Sequence, residues 1–284
     1  MMRPPAVIVT ENEFNMLYGA SRAKMKQAEL TIRFFRRIVA IQVSISAGTE
    51  IIIAAAEFAS ASPGFVIFPG FFDAAAIRYR EIHPEIPVFI AAGRNSSMLN
   101  SPHTGENTPV YIYTDTDSDL FRAGVCAAHL AGENGRVYII QDETLRSPSR
   151  EKFEDGLKSR GYSGYPVYVN AGIDISASEN ISCLVAIGSS AKFFEQNQKI
   201  PVILFTWADP DITPSNVKLI FDDSLWTAAA QILQFWDGKP GSLAPESLEN
   251  FRVSSELTVP WGRNREGVLF YEKLAGKKVN IGKF

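Results

Sequence analysis

The chain has 284 residues, 46% of them apolar, and a formal net charge of −3. That is enough apolar material for one large core or two moderate ones, and so even a charge balance argues against nucleic acid or acidic membranes as partners. The longest apolar run, residues 51–58, is too short to span a bilayer and contains Glu57.

The chain opens Met-Met-Arg-Pro-Pro and reaches a strand-like run at 6–10 at once. No cleavable leader precedes it, so the protein is expected to be either cytoplasmic or a mature form with its leader removed. Residues 11–30 read as helix and the β-branched run 38–45 as strand. An apolar helix over 48–59 follows, with Glu50 and Glu57 on its wetter side. A strand at 65–68 ends at Pro69-Gly70, and Asp73 is placed to cap a helix over 73–82. Strands follow at 87–91 and 110–113. The alternation then restarts with a helix at 119–131 stopped by Gly132, a strand at 136–140, and a helix at 149–159 with Ser149 as cap and Gly161 as stop. Strands are expected at 166–169, 184–187, 202–205 and 218–221. Leu225, Ala228, Ala229, Ile232, Phe235 and Trp236 then recur at helical spacing, and 264–274 forms a last amphipathic helix. The extended segment 251–259 either continues a second sheet or is a return crossover.

Buried runs with little alternation, each followed by a helix, are what a parallel sheet with helices on both faces requires. Nine or ten such strands fit two sheets of about five better than one, with the break at 114–119. Cys126 and Cys183 are either buried thiols or a single disulfide, and their apolar neighbours favour thiols.

Ligands of open α/β sheets bind beyond the carboxyl ends of the strands. Glu11, Asn12 and Phe14 follow the first strand, Phe71 and Phe72 the third, and Arg94 the fourth. In the second half Gln141 and Asp142, Ser189, Trp207 and Asp209, and Asp222 occupy such positions. The ligand-binding set drawn from these is Asn12, Phe14, Phe71, Phe72, Arg94, Asp142, Ser189, Trp207, Asp209 and Asp222. Aromatic faces with carboxylates and amides suit a ring-shaped ligand bearing hydroxyls. Each residue also has a plainer reading: Phe71 or Phe72 packs under the next helix, Asp73 caps rather than binds, and Asp222 is either a crossover ligand or a helix cap.

No Gly-x-Gly-x-x-Gly, Walker loop or Gly-x-Ser-x-Gly elbow occurs. Asp115, Asp117 and Asp119, at alternate positions of an extended crossover, read as a hinge and helix cap rather than an acid–base pair. His83, His103 and His129 are scattered and form no metal or nucleophile constellation. No catalytic residue, metal or cofactor is expected.

Several segments together carry a resemblance. Asp117-Ser-Asp-Leu-Phe-Arg-Ala-Gly leads to Gly135-Arg-Val-Tyr-Ile-Ile and then Arg150-Glu-Lys-Phe-Glu-Asp-Gly-Leu-Lys-Ser-Arg-Gly. This series resembles the crossover, helix, strand and helix that open the second lobe of type I periplasmic binding proteins and their repressor relatives. Val66-Ile-Phe-Pro-Gly-Phe-Phe-Asp, then Ile82-His-Pro, then Val88-Phe-Ile, is similar to the basic-membrane-protein branch of nucleoside-binding lipoproteins. The resemblance implies two Rossmann-like lobes, each a parallel sheet flanked by helices, joined by a three-stranded hinge near 114–117, 222–224 and 254–259. It places residues 1–115 and 223–250 in an N-terminal lobe, and 116–222 and 251–284 in a C-terminal one. It implies a periplasmic or cell-surface lipoprotein, a monomer, serving an ABC-type uptake system. Such a protein binds a nucleoside- or sugar-like molecule in the interlobe cleft by hinge closure, with the membrane permease as partner. The alternatives are the effector-sensing domain of a regulator or receptor, whose DNA-binding headpiece would need some 50 or 60 residues before the first strand, and a small-molecule enzyme on a Rossmann-like fold.

Overall fold

A computed structural model describes residues 3–11, 20–93, 108–141, 150–170, 180–187, 199–205, 215–222, 225–238, 251–253 and 256–258. The chain divides into two compact units, Met1–Thr114 with Ser224–Val253, and Asp115–Asp223 with Ser254–Phe284. It therefore passes from one unit to the other three times.

In chain order the elements begin with β1 (Arg3–Glu11), α1 (Ala20–Phe34), β2 (Arg36–Val43), α2 (Thr49–Ala59) and β3 (Phe65–Pro69). A single 3-10 turn (Gly70–Phe72) leads into α3 (Asp73–Ile82), β4 (Val88–Gly93) and β5 (Val110–Thr114). Then come α4 (Thr116–Ala131), β6 (Arg136–Gln141), α5 (Arg150–Lys158), β7 (Val167–Asn170), β8 (Ile181–Ile187), β9 (Val202–Phe205) and β10 (Val217–Asp222). The last are α6 (Leu225–Gly238), β11 (Phe251–Val253) and β12 (Glu256–Thr258). The expected helix over 264–274, the segment 12–19 of the expected first helix and the expected cap Ser149 lie outside the described residues.

The first sheet runs β11-β5-β4-β3-β1-β2 and every pairing in it is parallel. The second runs β12-β10-β9-β8-β6-β7 and is parallel except where β12 meets β10. Ala6, Val7, Ile8 and Val9 of β1 are each fully buried, because helices cover both faces of their sheet. On one face Ile52, Ile53 and Ala56 of α2 and Ala75, Ala76 and Tyr79 of α3 pack on Val7, Val9, Val66, Phe68 and Ile90. Opposite them, Trp236 of α6 meets Phe65 and Phe89 edge-on, with centroids 6.2 and 5.9 Å apart. A helix late in the chain thus completes the core of the first unit.

In the second unit α4 and α5 cover one face of the sheet, with Phe153 and Leu157 packed among Val137, Cys183, Val185, Phe205 and Phe221. The two helices cross at Gly124 and Gly156. A Cβ on Gly124 would lie 2.2 Å from the Phe153 carbonyl oxygen, and one on Gly156 2.2 Å from that of Phe121. Neither contact can relax without moving backbone, so glycine at both positions sets the crossing distance.

Three features differ from expectation. Helix α4 starts at Thr116, so the three aspartates do not lie on an extended crossover. Asp115 caps the helix by accepting from the Ser118 N–H, Asp117 is exposed, and Asp119 is buried and paired with Arg122. Asp73 is the first residue of α3 rather than its cap, and its Oδ1 accepts from the Ala74 N–H at 2.6 Å. Strand Phe251–Val253, expected with the second lobe, pairs with β5 in the first sheet, whereas Glu256–Thr258 pairs with β10. The chain changes sheets between them.

Cys126 and Cys183 are free and fully buried. Burial pushes the Cys126 thiol from its ordinary 9.0 up to about 12 and raises that of Cys183 as well. Burial likewise lifts Tyr79 and Tyr111 from 10.0 to about 12. These groups keep their protons longer in the folded chain than in the unfolded one. The stability they contribute is present below about pH 9 and is lost as pH rises through 9.0 towards 12.

Two outcomes follow. The midpoint of urea unfolding should fall as pH is raised above 9.0, while a thiol reagent labels neither cysteine until denaturant is added. Rapid native labelling would contradict the buried placement. Gly124→Ala and Gly156→Ala should each destabilise by about 1–3 kcal/mol in chemical denaturation, despite alanine's better helix propensity.

Candidate functional site

Each sheet reverses the direction of its connections once. In the first, β1 leads outward to β2 on one side, and the chain then returns past β1 to β3 on the other. In the second the same reversal separates β6 from β8. The loops on either side of such a point diverge and leave a crevice at the carboxyl ends of the strands.

At the carboxyl end of β1, Thr10 and Glu11 are 2% and 5% exposed. The Thr10 hydroxyl donates to the Ile41 carbonyl of β2 at 3.0 Å, which locks the register of the two strands at this end. Glu11 is the last residue of the strand, paired with Val43 of β2, rather than the first of the helix expected over 11–30. The neighbouring strand β3 runs into Gly70–Phe72, where Phe71 is 48% exposed and Phe72 is 4% exposed. The two rings meet edge to face, 4.7 Å apart at 76°. Phe72 is part of the core with Tyr79 and Ala76. It backs Phe71 and leaves that ring as the one a solute can meet.

Farther along the same edge, Tyr111 and Tyr113 of β5 stack with centroids 6.1 Å apart. The Tyr113 hydroxyl is buried and has no hydrogen-bond partner among the described residues, and burial raises its pKa. An unsatisfied buried hydroxyl costs about 1–3 kcal/mol. No sequence motif marks Tyr113; the one signal is a pair of tyrosines two apart at the end of a strand.

In the second unit Asp222 ends β10 and is 2% exposed. Beneath it Phe205 and Phe221 stack at 4.5 Å and 9°. The Arg122 guanidinium lies 5.3 Å from the Phe221 ring and is paired with buried Asp119. This gives the carboxyl edge of the second sheet a cation that the sequence reading did not single out. Its signal was an Asp and an Arg three apart in the first turns of a helix.

Phe71, Phe72 and Asp222 are thus placed at the carboxyl edges of their own sheets. Asn12, Phe14, Arg94, Asp142, Ser189, Trp207 and Asp209 lie outside the described residues. In the chain Asn12, Arg94 and Asp142 follow directly on the last residues of β1, β4 and β6, and Ser189, Trp207 and Asp209 come within four residues of the ends of β8 and β9. His83 sits at the C-cap of α3, its Nε2 2.8 Å from Glu57 Oε1 and its ring 4.6 Å from that of Tyr79. Among the described residues no group of three or more His, Cys, Asp or Glu could hold a metal ion, and no helix is long and apolar enough to cross a membrane.

No family model matches the chain, and no curated protein matches it by sequence. Solved structures do match it in fold. A solute-binding protein of an ABC transporter system from Conexibacter woesei is 16% identical, with 97% of each chain covered and a TM-score of 0.59. An arabinose-binding protein from Geobacillus stearothermophilus is 11% identical, with 95% of this chain and 99% of that one covered and a TM-score of 0.57. A transcriptional activator of the comK gene from Bacillus halodurans is 14% identical, with 99% of each covered and a TM-score of 0.59. The chain therefore has the fold of periplasmic-binding-protein-like molecules: two α/β lobes, each a parallel sheet flanked by helices.

Tyr113 and Phe71 provide tests of the first edge. Tyr113→Phe should leave the stability of the free protein unchanged or raise it by about 1 kcal/mol, since the hydroxyl has no partner to lose. Phe71→Ala should cost little stability, whereas Phe72→Ala should cost about 3–5 kcal/mol. Equal losses for the two phenylalanines in thermal unfolding would contradict their assigned places.

Proposed function

We propose that this protein is the solute-binding component of an ABC-type uptake system. It holds a small hydroxylated ring molecule, a sugar or a nucleoside, at the carboxyl edges of its sheets and does no chemistry on it. The observation that carries the reading is a buried carboxylate at the carboxyl end of a strand in each sheet, Glu11 and Asp222. One lies on the strand next to that leading to the open Phe71 ring, and the other follows the Phe205–Phe221 stack. A carboxylate accepts from two vicinal hydroxyls and an aromatic face covers the apolar side of a ring. Asn12, Phe14, Arg94, Asp142, Ser189, Trp207 and Asp209 complete the proposed set, and Tyr113 and Arg122 join it. The likeness in fold to an arabinose-binding protein and to a periplasmic ribose ABC transporter from Conexibacter woesei favours the sugar. The Gly70-Phe71-Phe72 turn, on which the likeness to nucleoside-binding lipoproteins rests, favours the nucleoside. The three chain passages between units act as the hinge, the closed form is what the permease reads, and the protein works in the periplasm or as a cell-surface lipoprotein.

A second reading, the effector-sensing part of a regulator, draws on the similarity to the comK activator. Both readings require a ligand, and they part in the cell.

A thermal-shift screen of pentoses, hexoses, nucleosides and purines should find one class that raises the melting temperature. A ligand at 100 times its Kd adds about 2.7 kcal/mol. Trp207→Ala should abolish that shift without unfolding the protein. A screen in which nothing shifts, or in which a compound is consumed, would overturn the binding reading. Deleting the gene should then stop uptake of the identified solute; unchanged uptake with altered transcription would favour the regulator.

A further inference from the structure

Two apolar ridges on the first unit are open to solvent and carry opposite charge. One is formed by the end of α1 and the residue after it, where Ile32 is 74% and Phe35 77% exposed. Arg33 and Arg37 flank it and are exposed. The other lies on α2, where Ile51 is 63% and Phe58 93% exposed. Seven residues separate these two, so they share one helix face. Glu50 and Glu57 flank them and are exposed, Glu57 with its Oε1 2.8 Å from His83 Nε2, and Lys and Arg are absent from this helix.

The ridges face away from each other across the sheet. The α1 side of the sheet is marked by the Gln27 side chain donating to the Ile38 carbonyl of β2, and α1 packs beside α6. Helix α2 packs beside α3 in the core on the other face. One copy can therefore engage a neighbour on each side at once.

We propose that the chain associates head to tail with further copies of itself, the α1 ridge of one copy seating on the α2 ridge of the next. Charge selects this pairing over the alternatives. Ridge against identical ridge, as in a two-fold dimer, would set Arg33 and Arg37 against the same arginines, or Glu50 and Glu57 against the same glutamates. Unlike ridges bring arginines to glutamates around an apolar centre, the arrangement of a specific interface. Phe35 adds an independent argument. Its φ of 52° puts a bulky residue in the left-handed region, which is unfavourable for a side chain of this size, and yet the ring gains no burial within its own chain. A pairing of this kind is heterologous: it closes into a ring or runs on as an open chain. The contact is small, so the association is weak and depends on concentration. A monomer, the expectation from sequence, is then the dilute limit.

The test is sedimentation velocity on the full chain over a dilution series at low and high salt. The wild-type mean mass should rise above that of one protomer as concentration increases, and fall back when salt screens the rim. Phe58→Ser should be monomeric, and so should the double variant Ile32→Ser with Phe35→Ser. An equimolar mixture of the two should form a one-to-one dimer that grows no further, because each variant keeps one ridge that fits the other's. Should either fail to fold, as judged by its thermal melt, Arg33→Glu and Glu50→Arg replace them; each alone should weaken association and the pair together restore it. Three results overturn the proposal: a wild-type protein that stays monomeric at its highest soluble concentration, variants that associate as the wild type does, or a mixture that stays monomeric. Binding of the monomeric protein to vesicles of anionic lipid through the α1 ridge would also overturn it, since the occupant would then be a membrane.

Discussion

A parallel strand cannot be followed by its neighbour through a tight turn; the chain must travel back along the whole length of the sheet first. That one constraint arranges most of this molecule. Each return passes over a face of the sheet, so both faces become covered and the strands between them lose all contact with water. Ala6–Val9 and the β8 core residues from Cys183 to Ile187 are buried for this reason. Each strand but the antiparallel β12 also delivers its carboxyl end to the same edge of its sheet. Glu11 and Thr114 end their strands along it in the first sheet, with Phe71 just beyond β3, and Gln141, Ile187, Phe205 and Asp222 end theirs in the second, though they come from distant parts of the chain. A site built at such an edge inherits rigid anchors from the ladder below it.

Burial at that edge is what makes its few polar groups effective. Glu11 and Asp222 sit on backbone paired to a neighbouring strand and are buried, so little side-chain freedom is left to lose when a ligand arrives. Arg122 is fixed in a comparable way, by Asp119 on one side and the Phe221 ring on the other. The scaffold beneath uses charge sparingly and always with partners. Arg36 lies over the Phe65 ring and donates to the Pro4 carbonyl, and Arg80 donates to the carbonyls of Pro84 and Ile86. Both are nearly fully buried. Arg36 ties the start of β2 to that of β1 and Arg80 ties the loop before β4, both at the amino edge, away from the proposed binding edge.

Much of this was legible in the chain because doubly covered strands leave continuous apolar runs, and Phe65–Pro69 and Val202–Phe205 are plain examples. What could not be read had physical reasons too. Asp-Thr-Asp-Ser-Asp read as an extended crossover with a helix cap; the cap is there in Asp115, yet the helix starts at once, the next aspartate faces water and the third is buried against an arginine. A three-residue 3-10 turn has no period that could tell the buried Phe72 from the open Phe71. Ile51, Ile52 and Ile53 are identical in composition, and only packing shows that the first faces solvent. Phe-Arg-Val at 251–253 is too short to declare which sheet it joins. Glu11 read as the start of the following helix, not as the end of β1, because strands have no sharp chemical stop. Asp222 had two readings, helix cap or crossover ligand, and its place as the last residue of β10 comes from pairing with Glu256 rather than from its neighbours in sequence.

The packing of Trp236 against Phe65 and Phe89 bears on how the chain is made. A ribosome releases residues 1–114 first, but that stretch lacks α6, which covers one face of its sheet, and β11, which closes its edge. Between the two pieces in time comes nearly all of the second unit, from 115 to 223. The later-starting lobe is thus the first to have nearly all of its strands available. The earlier one must wait, with an apolar face open, until a segment more than a hundred residues downstream has emerged. During synthesis the first lobe is therefore the part of the nascent chain with most reason to engage a chaperone, and a truncation just before α6 should leave it unfinished while sparing most of the second sheet.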